Sequence, residues 1–143
     1  MVEAQSMIGN EWTKQAKLVA KQNQQDALFD ELLRERAAVL SRAGFAVEDA
    51  LAKIMKVEQR LEQDMNDLND LCARGAVVKN DGEKQVIFDR INSVIDEYNE
   101  ACRKAELQFY YLIVTREAMG LRRHETVRQF YSIPPRKRKL QAI

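Results

Sequence analysis

Two stretches of this 143-residue chain place an apolar side chain at every seventh position. Seven residues make two turns of an α-helix, so the side chains of such a series share one face. Long helices with this spacing pack lengthwise against other helices. The pattern therefore predicts two packed helices, at about residues 46–73 and 82–119. The first series is Val47, Ile54, Leu61 and Leu68, and the second is Ile91, Tyr98, Ala105, Leu112 and Met119.

A further helix is predicted at about residues 10–43, where the apolar pattern is weaker. Asn10 is a suitable N-cap, and Gly44 can end the helix because glycine adopts the left-handed conformation common there. Residues 21–26, KQNQQD, interrupt the apolar face. We interpret this interruption as a solvent-exposed stretch; a polar layer against a partner is the alternative. One stripe is Trp12, Ala16, Val19, Phe29, Leu33 and Leu40, and a second is Leu18, Leu28, Leu32 and Val39.

The ends of the 82–119 helix carry recognisable signals. Asn80 and Glu83 have the spacing of a capping box, and Gly120 suits the position just after a helix. Residues 76–88 also have the pattern of a β-hairpin, because Asn-Asp-Gly between β-branched residues is a turn signal. The apolar series continues without a break from Val86, so we prefer a loop followed by a helix.

These elements predict an all-α fold, an elongated antiparallel three-helix bundle with coiled-coil-like helices. Only 5 glycines and 2 prolines interrupt the chain, and both prolines lie near its end. Short connections make consecutive helices antiparallel neighbours. We expect one helical domain over residues 1–132, with a short C-terminal helix at 122–131. Pro134 and Pro135 then forbid further helix, so residues 133–143 are expected to form a flexible basic tail.

The two cysteines are not expected to form a disulfide within the chain. If the chain folds back near residue 78, Cys72 lies opposite a residue near 85, and Cys102 lies roughly 25 Å further along at 1.5 Å per residue. A disulfide needs Cα atoms under about 7 Å apart. The chain has no CxxC spacing and only one histidine, so no metal site and no cofactor are predicted.

No catalytic motif is present in the sequence. His124, the only imidazole, lies between Arg123 and Glu125, and we expect it on the surface rather than acting as a general base. Residues 30–44, DELLRERAAVLSRAG, resemble the charged helix of chorismate-mutase-type enzymes, as many amphipathic helices do. There is no glycine-rich phosphate loop. The chain is therefore predicted not to be an enzyme.

The charge of the chain is unevenly distributed. Residues 116–143 carry 8 Lys and Arg against 2 Glu, a net charge of +6, whereas residues 1–115 carry 15 against 20, a net charge of −5. A basic end can neutralise phosphates, approach an anionic membrane surface or enter an acidic groove. We predict an anionic-partner site formed by Arg122, Arg123, Arg128, Arg136, Lys137, Arg138 and Lys139.

The end of the chain also resembles a known targeting motif. PPRKRKL resembles the single-cluster nuclear localisation signals, in which a proline precedes four or five cations. Pro135, Arg136, Lys137, Arg138 and Lys139 match that pattern. In a eukaryotic protein, the resemblance implies recognition by an import receptor.

Apolar side chains nearly encircle the predicted third long helix between residues 107 and 114. A helix that is apolar on all sides has neighbours on all sides. A second copy of the chain could supply them, and a monomer with exposed tyrosines is the alternative. The predicted self-association or partner-helix face is Leu107, Tyr110, Tyr111 and Val114.

The leading functional prediction is a non-enzymatic helical interaction subunit, an adaptor, chaperone or scaffold that binds itself or partner helices. The alternative is a dimeric nucleic-acid-associated protein whose basic end contacts phosphates. The N-terminus lacks a secretory signal pattern, and the longest apolar run, Phe109–Val114, is far below the roughly 20 residues that span a bilayer. We therefore expect an intracellular, cytoplasmic protein without a membrane span, nuclear if eukaryotic.

Overall fold

The computed structural model describes residues 2–74 and 81–141, with side chains from residue 9 in the first range and from residue 82 in the second. These two ranges contain three helices: α1 (Val2–Ala73), α2 (Asp81–Ala118) and α3 (Glu125–Phe130). No strand is present in these two ranges. The predicted all-α fold is confirmed.

The predicted helix end at Gly44 is wrong, because residues 40–48 all lie within α1. A glycine inside a helix costs only about 1 kcal/mol relative to alanine. The flanking alanines, leucines and arginines favour helix strongly enough to offset that cost. Gly44 also admits a close neighbour, since a Cβ added there would lie 3.2 Å from the Tyr131 hydroxyl oxygen. The glycine marks a packing contact and not a helix end.

The chain divides into two units, one ending at Val39 and the other beginning at Leu40. In the second unit, α1 from Leu40 onward and α2 form an antiparallel hairpin. Arg60 pairs with Glu97 near the middle of the hairpin, and Arg90 pairs with Asp64 at 3.1 Å nearer the connection. The predicted fold-back of these two helices is therefore present. Whether the two units act as one domain remains a prediction.

The core of the hairpin is formed by the two predicted apolar series. Ile54, Tyr98, Cys102 and Ala105 belong to one buried cluster, and a second cluster lies nearer the connection. Met119, at the end of the second series, is only half-buried. The second cluster contains Leu61, Leu68, Ile91, Val94 and Ile95.

Both ends of α2 bear on the predictions. From Asp81 onward the chain is helical, so the hairpin alternative is wrong for residues 81–88, and Asn80 lies outside the described residues. At the other end, Gly120 has φ of 84° and closes the helix as predicted. The Leu121 and Gly120 amides donate to the Arg116 and Glu117 carbonyls at 2.9 Å each, the Schellman pattern.

The predicted flexible tail is instead an extended segment bound to the hairpin. After α3, residues 132–141 contain no helix, and we name residues 133–140 the C-terminal strap. Ile133 packs on the Ile54 cluster, and Leu140 packs on the second cluster. The two prolines do exclude helix, as predicted. An extended segment need not be mobile, and here Asn92 and Asn99 of α2 bind its main chain.

Candidate interaction surfaces

Two asparagines of α2 bind the main chain of the strap. Asn99 donates from Nδ2 to the Lys137 carbonyl at 2.9 Å and accepts from the Lys137 amide at 2.9 Å. Asn92 makes the same pair of hydrogen bonds with Leu140, at 3.1 and 2.7 Å. A side-chain amide has one acceptor and one donor group that match a peptide unit. Each asparagine therefore satisfies both polar groups of one strap residue.

The spacing of these contacts follows from the two backbone geometries. Seven helical residues, Asn92 to Asn99, rise about 10.5 Å. Three extended residues, Lys137 to Leu140, span about 10 Å. The two repeats match, so both asparagines bind at once, with the strap antiparallel to α2. Sequence analysis did not identify these asparagines; their separation of seven, beside the buried series, was the available signal.

Tyr98 links the strap to the hairpin core. Its side chain is 1% exposed, and its hydroxyl donates to the Pro135 carbonyl at 3.4 Å. The Lys137 ammonium lies 4.9 Å from the ring centroid, within the range of a cation–π contact. Burial, followed by the proximity of Cys102 and Glu58, raises the pKa of Tyr98 to about 12. The hydroxyl is therefore protonated and available as a donor at neutral pH.

Three of the predicted anionic-partner residues pair with carboxylates of the same chain. Arg136 lies 3.1 Å from Glu106, and Lys139 lies 3.2 Å from Asp96. The third pair is Lys137 with Glu58, at 3.5 Å. These pairs are partly solvent-exposed, so each contributes little stability. Their main consequence is that the acidic hairpin offsets much of the strap's positive charge.

The other four predicted cations have exposed side chains and make no ion pair with a described acidic residue. One of them, Arg138, lies on the strap between two paired lysines. The remaining three lie around α3, so the structure separates the predicted site into two places. These are Arg122, Arg123 and Arg128.

The expectation that His124 lies on the surface is wrong, because its side chain is buried. Its Nδ1 accepts a long hydrogen bond of 3.4 Å from Arg116 Nε. Its Nε2 lies 3.2 Å from Glu117 Oε1, so with Nδ1 as acceptor Nε2 carries the hydrogen and donates. Both partners lie in the last turn of α2. The imidazole therefore holds the α2–α3 connection against the end of α2.

The cysteines occupy contrasting environments. Cys72 is exposed, whereas Cys102 is buried in the core beside Tyr98, and both are free thiols. Burial is the main cause that raises the pKa of the Cys102 thiol. A thiol with a raised pKa is a weak nucleophile at neutral pH. Cys72 is therefore the reactive one of the two.

The predicted self-association face is exposed in the single chain. Leu107 is 38% exposed and Tyr110 is 60% exposed. Leu107 also borders an open groove of about 1200 Å³ between α1 and α2, with a floor that includes Ala50, Val57 and Ala101. The other two members of the face, Tyr111 and Val114, are exposed as well. Binding of a partner at this face stays a prediction.

A larger apolar surface lies on residues 9–39, which we name the N-terminal segment. Every side chain of this segment is exposed. Trp12 is 71% exposed and Phe29 is 61% exposed, values unusual for such large apolar side chains in a folded protein. The other large apolar residues exposed there are Leu18, Val19, Leu28, Leu32, Leu33 and Val39. Sequence analysis identified these stripes but assigned them to the bundle.

Two kinds of site are absent from the described part of the chain. No cluster of three or more His, Cys, Asp or Glu side chains there has the arrangement of a metal site. No helix in residues 2–74 or 81–141 combines the length and hydrophobicity needed to cross a membrane. Compared with known proteins, the chain matches no family model, no curated protein and no solved structure.

Proposed function

We propose that the chain is a non-enzymatic interaction subunit, an adaptor, chaperone or scaffold, that binds helices through its N-terminal segment. The exposed apolar face of residues 12–39 carries this proposal. Most helical stability in proteins comes from packing an apolar face, and an unpacked helix is marginal in water. Contiguous exposed apolar surface of this kind is typical of protein–protein contact sites. A partner helix would cover it.

Replacing three apolar residues of the segment tests the proposal. In the triple variant Leu18→Gln, Phe29→Gln, Leu33→Gln, we expect lower helical content by circular dichroism and loss of amide protection over residues 12–39. The wild-type protein should show that protection together with a mass above that of one chain in sedimentation. A wild-type segment that exchanges its amides without protection, alone and in a host-cell lysate, would refute the proposal.

A matched control changes the opposite face of the same segment. This triple variant, Lys17→Gln, Glu31→Gln, Arg34→Gln, also introduces three glutamines, at positions about 100–160° around the helix from the three replaced apolar residues. Glutamine has nearly the same helix propensity as lysine, glutamate and arginine, so intrinsic helix stability should stay the same. The control should keep both the wild-type mass and the amide protection.

A nucleic-acid-associated function is the second candidate, supported by the four exposed arginines that lack an ion pair with a described residue. Each phosphate that these arginines neutralise would add a slope of about −0.9 to log K against log salt. Changing all four to glutamine should reduce the slope for DNA or RNA by about 3 to 4. Equal salt slopes for the variant and the wild type would remove this candidate. The four arginines are Arg122, Arg123, Arg128 and Arg138.

We also propose an intracellular location, nuclear in a eukaryotic cell. An import receptor that reads the main chain of Pro135–Lys139 would first have to displace the strap from Asn99. Nuclear accumulation of a reporter fused to residues 133–143, but not of the intact chain, would support a masked signal. Exclusion of both from the nucleus would contradict it.

A further inference from the structure

We propose that the N-terminal segment pairs with the same segment of a second copy in antiparallel orientation, with its midpoint near residue 24. This inference rests on the proposed function and specifies the partner and its direction. Four observations on the segment support it: its exposure, its charge order, the residues on its seam and its polar centre.

The charge order of the segment favours an antiparallel pair. Before the midpoint, Lys14, Lys17 and Lys21 are the charged residues from residue 12 onward. After the midpoint, residues 25–39 carry 4 Asp and Glu against 2 Arg, a net charge of −2. An antiparallel pair therefore places each basic half beside an acidic half. A parallel pair would place like-charged halves together, which is destabilising.

The seam of the segment gives the same direction. Trp12, Val19, Asp26 and Leu33 lie at sevens along the exposed face. In a parallel pair in register, Asp26 would face Asp26 of the second copy, two like charges on the seam. In an antiparallel pair about residue 24, it faces Gln22 of the second copy, which can donate a hydrogen bond to the carboxylate.

Apolar residues match on both sides of that centre. Val19 lies across from Phe29 of the second copy, and Leu18 lies beside Leu32, offset by two residues or about 3 Å along the axis. At the ends, Trp12 lies across from Arg36, where a guanidinium can stack on the indole ring. In this register, each large apolar residue between residue 12 and the midpoint has an apolar or cationic neighbour on the second copy.

The polar interruption of residues 21–26 becomes the central layer of this pair. Gln22, Gln25 and Asp26 of the two copies meet around the two-fold axis. Single polar layers in coiled coils fix register and orientation at some cost in stability. The KQNQQD stretch thus specifies the alignment, with apolar contacts on either side of it.

Spin-label distances test the orientation directly. In the full chain with Cys72→Ser, a nitroxide is attached at Lys14→Cys in one sample and at Asn23→Cys in another; Cys102 is buried. In the antiparallel pair, the two Lys14 positions are twenty helical residues apart along the axis, roughly 30 Å. The two Asn23 positions lie at nearly the same height, under about 20 Å apart.

Two further variants locate the contact. Phe29→Ala should weaken self-association by roughly tenfold to a hundredfold, because each pair loses two buried rings. Arg34→Ala, which lies outside the seam, should leave the dissociation constant within about twofold. If the hairpin's near-ultraviolet signal is unchanged in both variants, the loss is due to the segment and not to unfolding of the second unit.

The possible results separate the inference from the proposed function. A short Lys14 distance would establish a parallel pair and overturn the inference. Absence of dipolar coupling at Asn23, with residues 12–39 still protected from amide exchange, would mean a different partner and would also overturn it, while the proposed function survives. Absence of both coupling and protection would overturn both.

Discussion

Two stretches of α1 have apolar residues at the same spacing, but those of one stretch are buried and those of the other are exposed. Val47, Ile54 and Leu61 are buried against α2, with Ile54 only 1% exposed. Trp12 and Leu33, at the same spacing nearer the N-terminus, are exposed. The helical face is set by the spacing in both stretches, but burial also requires an element to cover it. With 38 residues, α2 is about half as long as α1, which has 72.

The largest expected difference between the stretches is in core truncation. Ile54→Ala should lower the free energy of unfolding of the hairpin by about 2–5 kcal/mol, because it opens a cavity in a closely packed cluster. Leu33→Ala, measured in dilute solution where any pair is dissociated, should change it by under about 0.5 kcal/mol. Urea denaturation followed by near-ultraviolet circular dichroism measures both. Equal effects would show that the N-terminal segment is packed on the hairpin core.

The buried tyrosine should make the hairpin sensitive to alkali. Because burial raises the pKa of Tyr98 from 10.0 to about 12, the unfolded chain loses this proton at lower pH than the folded chain. Stability is therefore complete below pH 10 and should fall by about 2–3 kcal/mol as pH rises from 10 to 12.

Tyr98→Phe is the control for this effect, since lysines also titrate in that range. Denaturation at pH 9, 10 and 11 should show a gap between wild type and variant that changes with pH. A constant gap would mean that the pKa of Tyr98 is not raised.

The strap should depend on its asparagines. Asn99→Ala removes both hydrogen bonds to Lys137 and should cost about 1–3 kcal/mol, with faster amide exchange at residues 136–141. Asn23→Ala in the exposed N-terminal segment should leave strap exchange unchanged. Amide exchange with mass spectrometry distinguishes these outcomes. Rapid exchange of the strap in the wild type would instead restore the flexible tail expected from sequence.

The smallest expected difference concerns two glycines in α1. Alanine favours helix over glycine by about 1 kcal/mol. At Gly9 nothing lies within 4 Å of an added Cβ, so Gly9→Ala should raise helical content. At Gly44 the Tyr131 hydroxyl, which donates to Glu48, must shift, so Gly44→Ala should gain under about 0.5 kcal/mol. Thermal unfolding followed at 222 nm measures both; an equal gain would mean that Tyr131 moves freely.

Much of the hairpin could be predicted from the sequence because its cause is local. Apolar residues at sevens predicted the buried positions Ile54, Leu61, Tyr98 and Leu112, and Gly120 predicted the end of α2. The unbroken helix at Gly44 also has a local cause, because the flanking alanines, leucines and arginines offset the cost of one glycine. The packing of Gly44 against Tyr131 could not be predicted in this way, because Tyr131 is 87 residues away and becomes a neighbour only after folding.

The strap was missed for a related reason. Proline and clustered cations describe a segment that cannot be helical, but they do not show whether another surface binds it. That surface depends on Asn92, Asn99 and three carboxylates, brought to one face by α1 and α2 together. The burial of His124 was missed for the same reason, because it arises where the chain after α2 folds back so that His124 contacts Glu117.

The strap has a consequence for the order of folding. Its binding surface exists only after α1 and α2 have met, and Tyr131 reaches Glu48 across 83 residues. Contacts that close longer loops cost more entropy and tend to form late. Asn99→Ala should therefore accelerate unfolding while leaving the refolding rate nearly unchanged, whereas Ile54→Ala should slow refolding. The strap would therefore slow unfolding of the hairpin and have little effect on how fast the hairpin forms.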